Sequence, residues 1–169
     1  VLAILRVLSQ KVFAGVTFEN GPDTIKQTLH SPTLHRLYDY WRSKWHGSLL
    51  PGRADIDPID FSYALGDVTL VDVLYEPLRF RFRLDGTRHV EHFGFDMTGQ
   101  FLDNFPEPEM RQAIYDNYRS IVESRQPHRY YRDLTADGRP FRYEALLLPL
   151  ASDGKKIDMI MVAIAFQDA

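Results

Sequence analysis

The chain contains no cysteine, which removes several classes of chemistry at once. Disulfides, zinc bound by thiolates, iron–sulfur clusters and cysteine nucleophiles all require a sulfur atom that this sequence does not supply. A flavin linked to cysteine is excluded for the same reason. The absence of cysteine is compatible with a reducing compartment, and the cytoplasm is the location that we expect.

The chain also lacks a long apolar run and a concentration of positive charge. Its most apolar stretch, residues 1–18, is interrupted by Arg6, Ser9, Gln10 and Lys11, well short of the roughly 20 apolar residues of a membrane-spanning helix. The net charge is −3 and basic residues do not cluster. We therefore expect neither a membrane span nor a nucleic-acid partner.

Apolar residues, in contrast, are plentiful at 44 % of the chain, which is enough to bury a core without metals or disulfides. We divide the chain into an N-terminal extension of unknown role (1–30), a helix with its following loop (31–58) and a folded core (59–169).

A helix is predicted to begin at Ser31-Pro32, because Ser can cap the free amides and Pro suits the first helical position. Apolar residues then recur on one helical face. This stripe comprises Leu34, Leu37, Tyr38, Trp41 and Trp45. The loop that follows contains Arg53, Asp55 and Asp57, and we expect Arg53 and one aspartate to tie it to the domain.

Alternating sequence predicts five strands with one long helix between the second and the third. The strands cover residues 68–74, 79–84, 128–134, 141–150 and 157–166, and the helix covers 106–125. Asp137-Gly138 and Asp153-Gly154 predict tight turns between the last three strands. This order indicates an α+β fold, a five-stranded antiparallel sheet with helices on one face.

The last two strands are apolar on both faces, so the second face of the sheet needs a cover. The helix that carries Trp41 and Trp45 is the candidate, alone or together with a second subunit. We therefore predict that the protein forms a homodimer.

The order of elements resembles a PAS domain, and several stretches resemble the small bacterial PAS family with a helical N-terminal extension. The resemblance covers roughly residues 31–167. The matching stretches are Trp41-Arg42, Arg53-Ala54-Asp55-Ile56-Asp57-Pro58, Phe80-Arg81-Phe82-Arg83-Leu84-Asp85-Gly86-Thr87, Gly94-Phe95-Asp96-Met97-Thr98-Gly99 and Pro149-Leu150 before Asp153-Gly154.

The resemblance implies a non-catalytic sensory or signal-relay module that holds a small ligand between sheet and helices. Because the sequence carries no kinase, cyclase or helix-turn-helix motif, its output would pass to a separate partner protein. Two alternatives stay open: a ligand-free interaction and dimerisation module, and a small enzyme that uses the same cavity.

Six aromatic residues fall where a PAS cavity would be lined, namely Phe82, Phe93, Phe95, Tyr115, Tyr118 and Tyr143. They are compatible with an ordinary packed core or with a pocket for a flat, apolar ligand whose few polar contacts are tyrosine hydroxyls. The sequence alone does not choose between the two.

Three charged groups have a functional and a structural interpretation. His89 and His92 are either metal or haem ligands or surface histidines. We expect no metal, because no third and fourth ligand is signalled nearby, and no haem, because the long helix lacks an axial histidine. Asp55, Asp57 and Asp60 read as turn formers rather than as an acid–base pair. Arg79, Arg81 and Arg83 could hold a phosphate or pair with Asp72 and Glu76.

Overall fold

The computed structural model describes residues 19–20, 22–136 and 139–167. Within these ranges the strands are β1 (Glu19–Asn20), β2 (Val68–Leu74), β3 (Arg79–Leu84), β4 (His128–Ala136), β5 (Arg139–Leu150) and β6 (Met159–Gln167). They form one antiparallel sheet with the strand order β1-β4-β5-β6-β2-β3. Asp137-Gly138, predicted to form a tight turn, and residues 1–18 lie outside the described residues.

Four α-helices and three 3-10 segments accompany the sheet in the described residues. The helices are α1 (Pro22–Thr28), α2 (Pro32–Ser43), α3 (Thr87–Phe93) and α4 (Pro108–Ser124). The 3-10 segments are Arg53–Asp55, Pro58–Asp67 and Leu102–Asn104. The predicted α+β fold is confirmed. The two-residue strand β1, paired with the start of β4, and helix α1 are additions that the sequence pattern did not predict.

The register of the strands divides their side chains between two faces. Residues paired directly across antiparallel strands point to the same side, and successive residues alternate. The cavity face carries Thr69, Phe82, Tyr130, Arg132, Tyr143, Val162 and Ile164, and the back face carries Asp72, Arg81, Arg129, Glu144, Leu146, Leu148 and Met161. Helices α3 and α4 lie on the cavity face, where Phe93 meets Tyr143 and Tyr118 meets Phe80.

Helix α2 covers the back face, as the two-sided apolar pattern of the last strands predicted. The Ser31 hydroxyl accepts a hydrogen bond from the Leu34 amide at 3.3 Å, which caps the first turn. Leu34, Leu37, Tyr38 and Trp41 are buried, and the Trp41 indole donates to the Pro149 carbonyl at 3.1 Å. Trp45 follows the end of the helix, is only half-buried, and packs its ring on Trp41.

A buried ion pair fixes the approach of this helix to the sheet. The Glu144 carboxylate is fully buried and accepts from Arg129 at 2.8 Å and from the backbone amides of His30 and Ser31 at 3.0 and 2.7 Å. Arg129 in turn lies 3.1 Å from the His30 ring. One carboxylate therefore joins β5, β4 and the start of α2.

The aspartates of the loop that follows α2 accept hydrogen bonds from backbone amides of the same loop. Asp55 accepts from the Gly52 amide at 2.8 Å, and Asp57 accepts from Ile59 at 2.9 Å. The guanidinium of Arg53 donates to the Ile56 carbonyl at 2.7 Å, where an aspartate was expected. The short 3-10 turn folds that carbonyl back onto Arg53. Contact with α2 comes instead from the Tyr40 hydroxyl, which accepts from the Asp57 amide at 2.8 Å.

Replacing Glu144 by Gln removes the charged partner of Arg129 while keeping the size of the side chain. Since an uncompensated buried charge is costly, we expect the free energy of unfolding to fall by about 3 kcal/mol or more. Denaturant titration at pH 7 measures this change. Asp133→Asn is the matched control, because it breaks the exposed pair with Arg142 on the same two strands. Equal losses in both variants would contradict this role for Glu144.

The buried side chain of His128 makes the stability of the folded protein depend on pH. Burial lowers the pKa of this histidine from 6.5 to about 4, and the residue is 2 % exposed. Between pH 6.5 and about 4, His128 therefore binds a proton in the unfolded chain but not in the folded chain. The contribution of neutral His128 is complete above pH 6.5 and is lost as the pH falls towards 4, by about 3 kcal/mol.

Denaturant titrations between pH 7 and pH 4 check this prediction. His128→Gln should flatten the decline in stability over that interval. His35→Gln, at a half-exposed histidine on α2, should leave it unchanged. A decline of the same slope in all three proteins would show that other groups cause it.

Candidate functional site

A cavity lies between the cavity face of the sheet and helices α3 and α4. The volume of the cavity, measured as the space open to the centre of a water-sized sphere, is about 60 Å³. One water needs roughly 10–15 Å³ on this measure, so the cavity has room for several waters or for one compact molecule.

Most of the wall is apolar and much of it is aromatic. The apolar lining residues are Phe82, Phe93, Phe95, Met97, Phe105, Met110, Ile114, Val162 and Ile164. They come from strands, helices and the segment after α3, so the cavity forms only when all of these elements pack together. The rings of Phe95 and Phe105 meet edge to face at 5.2 Å, a favourable arrangement that holds this side of the wall.

The structure brings together five of the six aromatic residues singled out in the sequence. Phe82, Phe93, Phe95, Tyr118 and Tyr143 line the cavity. Tyr115 does not; its ring packs instead against Phe80, at 5.6 Å between centroids. Tyr118, three residues later on α4, also packs against Phe80, at 5.2 Å, but it reaches the cavity wall as well.

One part of the wall combines a guanidinium with phenol groups. Arg132 is buried and lies directly opposite Tyr143 in the β4–β5 register. Its guanidinium carbon lies 5.5 Å from the centre of the Tyr130 ring. Burial raises the pKa of Tyr118, Tyr130 and Tyr143, so all three phenols stay neutral and keep a proton to donate.

Another part of the wall is a hydrogen-bond network around Thr69. Its hydroxyl oxygen lies 2.7 Å from both Asp85 Oδ1 and His89 Nδ1, and it accepts from the Gly86 amide at 3.1 Å. The other ring nitrogen of His89 faces the Asp67 carbonyl at 2.8 Å and therefore carries a proton. This network attaches the start of α3 to strand β2.

The Thr69 hydroxyl has a single proton, which it donates to Asp85 Oδ1. Burial raises the pKa of Asp85, but hydrogen bonds from His89, Thr69 and the Met97 amide outweigh it and leave the pKa lowered.

The two histidines of α3 have separate environments. His89 is buried, whereas one of the two interpretations of the sequence placed it on the surface. Its side chain is 5 % exposed and both ring nitrogens are engaged. The His92 ring stacks on Phe166 at 3.7 Å between centroids. Among the described residues, no three His, Cys, Asp or Glu side chains cluster as a metal site would require.

The arginines of β3 pair with carboxylates. Arg81 and Arg83 bind the two oxygens of buried Asp72 at 2.9 and 2.7 Å. Arg79 binds Asp103 at 2.7 Å, whereas Glu76 was the neighbour named from the sequence. Each of the three arginines of β3 therefore has a structural role on the back face, because each binds a carboxylate.

Sequence reasoning missed most of the polar wall. Thr69, Asp85 and Arg132 are cavity residues that the pattern did not single out. For Arg132 a signal existed, because it alternates with Tyr130 on a strand whose inward positions are otherwise uncharged. Thr69 and Asp85 are separated by a whole hairpin, and their contact depends on tertiary packing.

A model of the PAS domain family matches residues 29–164 of the chain. The match covers most of the chain, and the cavity between sheet and helices lies inside it. The chain therefore belongs to the PAS domain family, whose members are sensory modules. No curated protein matches the chain.

A solved structure described as an RNA-binding Light-Oxygen-Voltage receptor resembles the chain with a TM-score of 0.43 and 17 % identity. The similarity covers 73 % of this chain, which spans only 37 % of that receptor. In the part of the chain that the structure describes, no helix is long and apolar enough to cross a membrane.

Thr69→Val keeps the shape of the side chain but removes the hydroxyl at the centre of the network. We expect a loss of about 1–3 kcal/mol in the free energy of unfolding, because buried donors and acceptors lose their partner. The pKa of Asp85 should rise, since one of the hydrogen bonds that lower it is gone. Carboxyl ¹³C NMR and denaturant titration measure the two effects.

Thr98→Val is the matched control, because the exposed Thr98 hydroxyl accepts from the Asp85 backbone amide at 3.0 Å and does not contact the carboxylate. It should cost much less stability. A Thr69→Val protein as stable as the wild type, with an unchanged Asp85 titration, would show that the network does not hold α3.

Proposed function

We propose that this PAS domain is a non-catalytic sensor that binds a small molecule in the cavity and relays its presence to a partner protein. The observation that carries the proposal is the cavity itself, with an apolar and aromatic wall and a few polar groups at defined positions. Small-molecule sites are typically built this way, with apolar contacts for affinity and a few polar contacts for orientation.

Helix α3 is the element that we propose responds to the ligand. His89 and Phe93 belong to this helix and also line the cavity. Its first turn is attached to β2 through Thr69. A ligand that changes the packing of Phe93 or the hydrogen bonds of His89 therefore acts on a short element of two turns, which moves at lower cost than the sheet.

We further propose that the protein forms a homodimer and acts in trans on a separate output protein in the cytoplasm. The contact surface would include the 3-10 segment before β2, where Ile59 is 79 % exposed and Leu65 is 45 % exposed.

Native mass spectrometry of protein purified gently from its own host tests both the ligand and the subunit number. We expect a dimer that carries a reproducible additional mass. Ile114→Trp should lose that mass, because the larger side chain of this partly buried cavity residue fills the site.

Tyr115→Phe is the control, since the neighbouring Tyr115 does not line the cavity, and it should keep the additional mass. A wild-type protein with no additional mass, and with no thermal stabilisation by a metabolite panel, would contradict the sensor proposal. It would favour the ligand-free dimerisation module. Turnover of a panel compound that Tyr143→Phe abolishes would indicate an enzyme.

A further inference from the structure

We propose that the cavity binds a compact, uncharged and mostly apolar molecule, one oxygen atom of which accepts a hydrogen bond from the Tyr118 hydroxyl. A small aromatic ketone is the simplest example of this class. The inference rests on the proposed ligand-binding function and specifies the chemistry of the ligand. Tyr118 would orient the molecule, and the apolar wall would hold its body.

The first support is the hydroxyl of Tyr118, which is buried without a partner. The residue is 5 % exposed, yet none of the residues that the structure describes hydrogen-bonds this hydroxyl. Buried hydroxyls nearly always have a partner, because burying one without a hydrogen bond costs free energy. A ligand oxygen would supply the partner that the described protein groups do not.

The second support is the position of this hydroxyl at the cavity. The Tyr118 ring packs edge to face on Phe80 at 5.2 Å, which fixes its direction, and the residue lines the cavity. The ionisable groups that act on its hydroxyl are Tyr130, Asp85 and Tyr143, and all three also line the cavity. The hydroxyl therefore lies among the polar groups of the cavity wall and not within the packed core.

The third support is the charge around the hydroxyl. Burial above all raises the pKa of Tyr118 well above its ordinary value, so the group keeps its proton at neutral pH and can donate it. The pKa of Asp85 is lowered in spite of its burial, so that side chain is a carboxylate at neutral pH. A negative charge near the hydroxyl disfavours an anion there, and an uncharged oxygen is the acceptor that suits it.

The fourth support is the apolar surface beside the hydroxyl. Met110, Ile114 and Tyr118 are spaced four residues apart and line the cavity from one face of α4. Phe82 and Val162 line it from strands β3 and β6. A flat apolar body would lie between helix and sheet, with its oxygen at Tyr118, and the cavity volume limits it to a compact molecule.

Titration of the full chain with acetophenone and with α-methylstyrene, followed through the methyl signal of Met110, tests the proposal. The two probes share a planar shape, but only acetophenone has an oxygen, where the other has a methylene group. Because water solvates the probes differently, each affinity is compared between the wild type and a variant. Tyr118→Phe should weaken acetophenone binding about tenfold and leave α-methylstyrene binding unchanged.

Tyr115→Phe is the matched control, because this neighbour on α4 does not line the cavity, and it should change neither affinity. An equal change of both affinities in Tyr118→Phe, or no change in either, would overturn the proposal and leave the sensor function standing. Benzoate is the third probe, since Arg132 also lines the cavity. Benzoate that binds the wild type more tightly than acetophenone would overturn the uncharged class.

If neither uncharged probe binds the wild type, the proposal is wrong as well. The sensor function falls with it only if the protein purified from its host also retains no additional mass.

Stability in the absence of a probe separates a hydroxyl kept for a ligand from one that holds the fold. Tyr118→Phe should be at least as stable as the wild type in denaturant titration, since it removes a buried hydroxyl with no described partner. Tyr75→Phe is the comparison and should lose stability, because the Tyr75 hydroxyl donates to the Ile157 carbonyl at 2.6 Å. A Tyr118→Phe protein that is destabilised or does not fold would show that the hydroxyl serves the fold, and would overturn the proposal.

Discussion

The buried carboxylate of Glu144 is the constraint on which the described fold depends. A charge with no exposure to water must be matched by donors, and here the donors are Arg129 on the next strand and the amides of His30 and Ser31. This carboxylate therefore fixes β4, β5 and the start of α2 relative to one another. Helix α2 then covers an apolar back face that water would otherwise contact.

With the back face closed by α2, the other face of the same sheet is available for a different purpose. There the helices α3 and α4 leave a cavity instead of a fully packed layer. Both faces carry a buried arginine from β4, Arg129 behind and Arg132 in front. Arg129 binds the Glu144 carboxylate, and Arg132 lines the cavity.

The architecture could be predicted from the sequence because it depends on regular patterns. Alternation predicted the long strands, and the stripe from Leu34 to Trp41 predicted the helix on the back face. Of the six aromatic residues named from the family resemblance, five line the cavity and Tyr115 does not. The contact of Thr69 with Asp85 and His89 could not be predicted, since these residues meet only when a strand and a helix pack together.

Methyl NMR of the methionines tests the central claim, a ligand cavity on one face of the sheet, most directly. The chain has four methionines. Met97 and Met110 line the cavity, and Met159 and Met161 lie on the back face. Under xenon, the account predicts saturable shifts of Met97 and Met110, with Met159 and Met161 unchanged. Four unchanged signals, or shifts of equal size in all four, would contradict it.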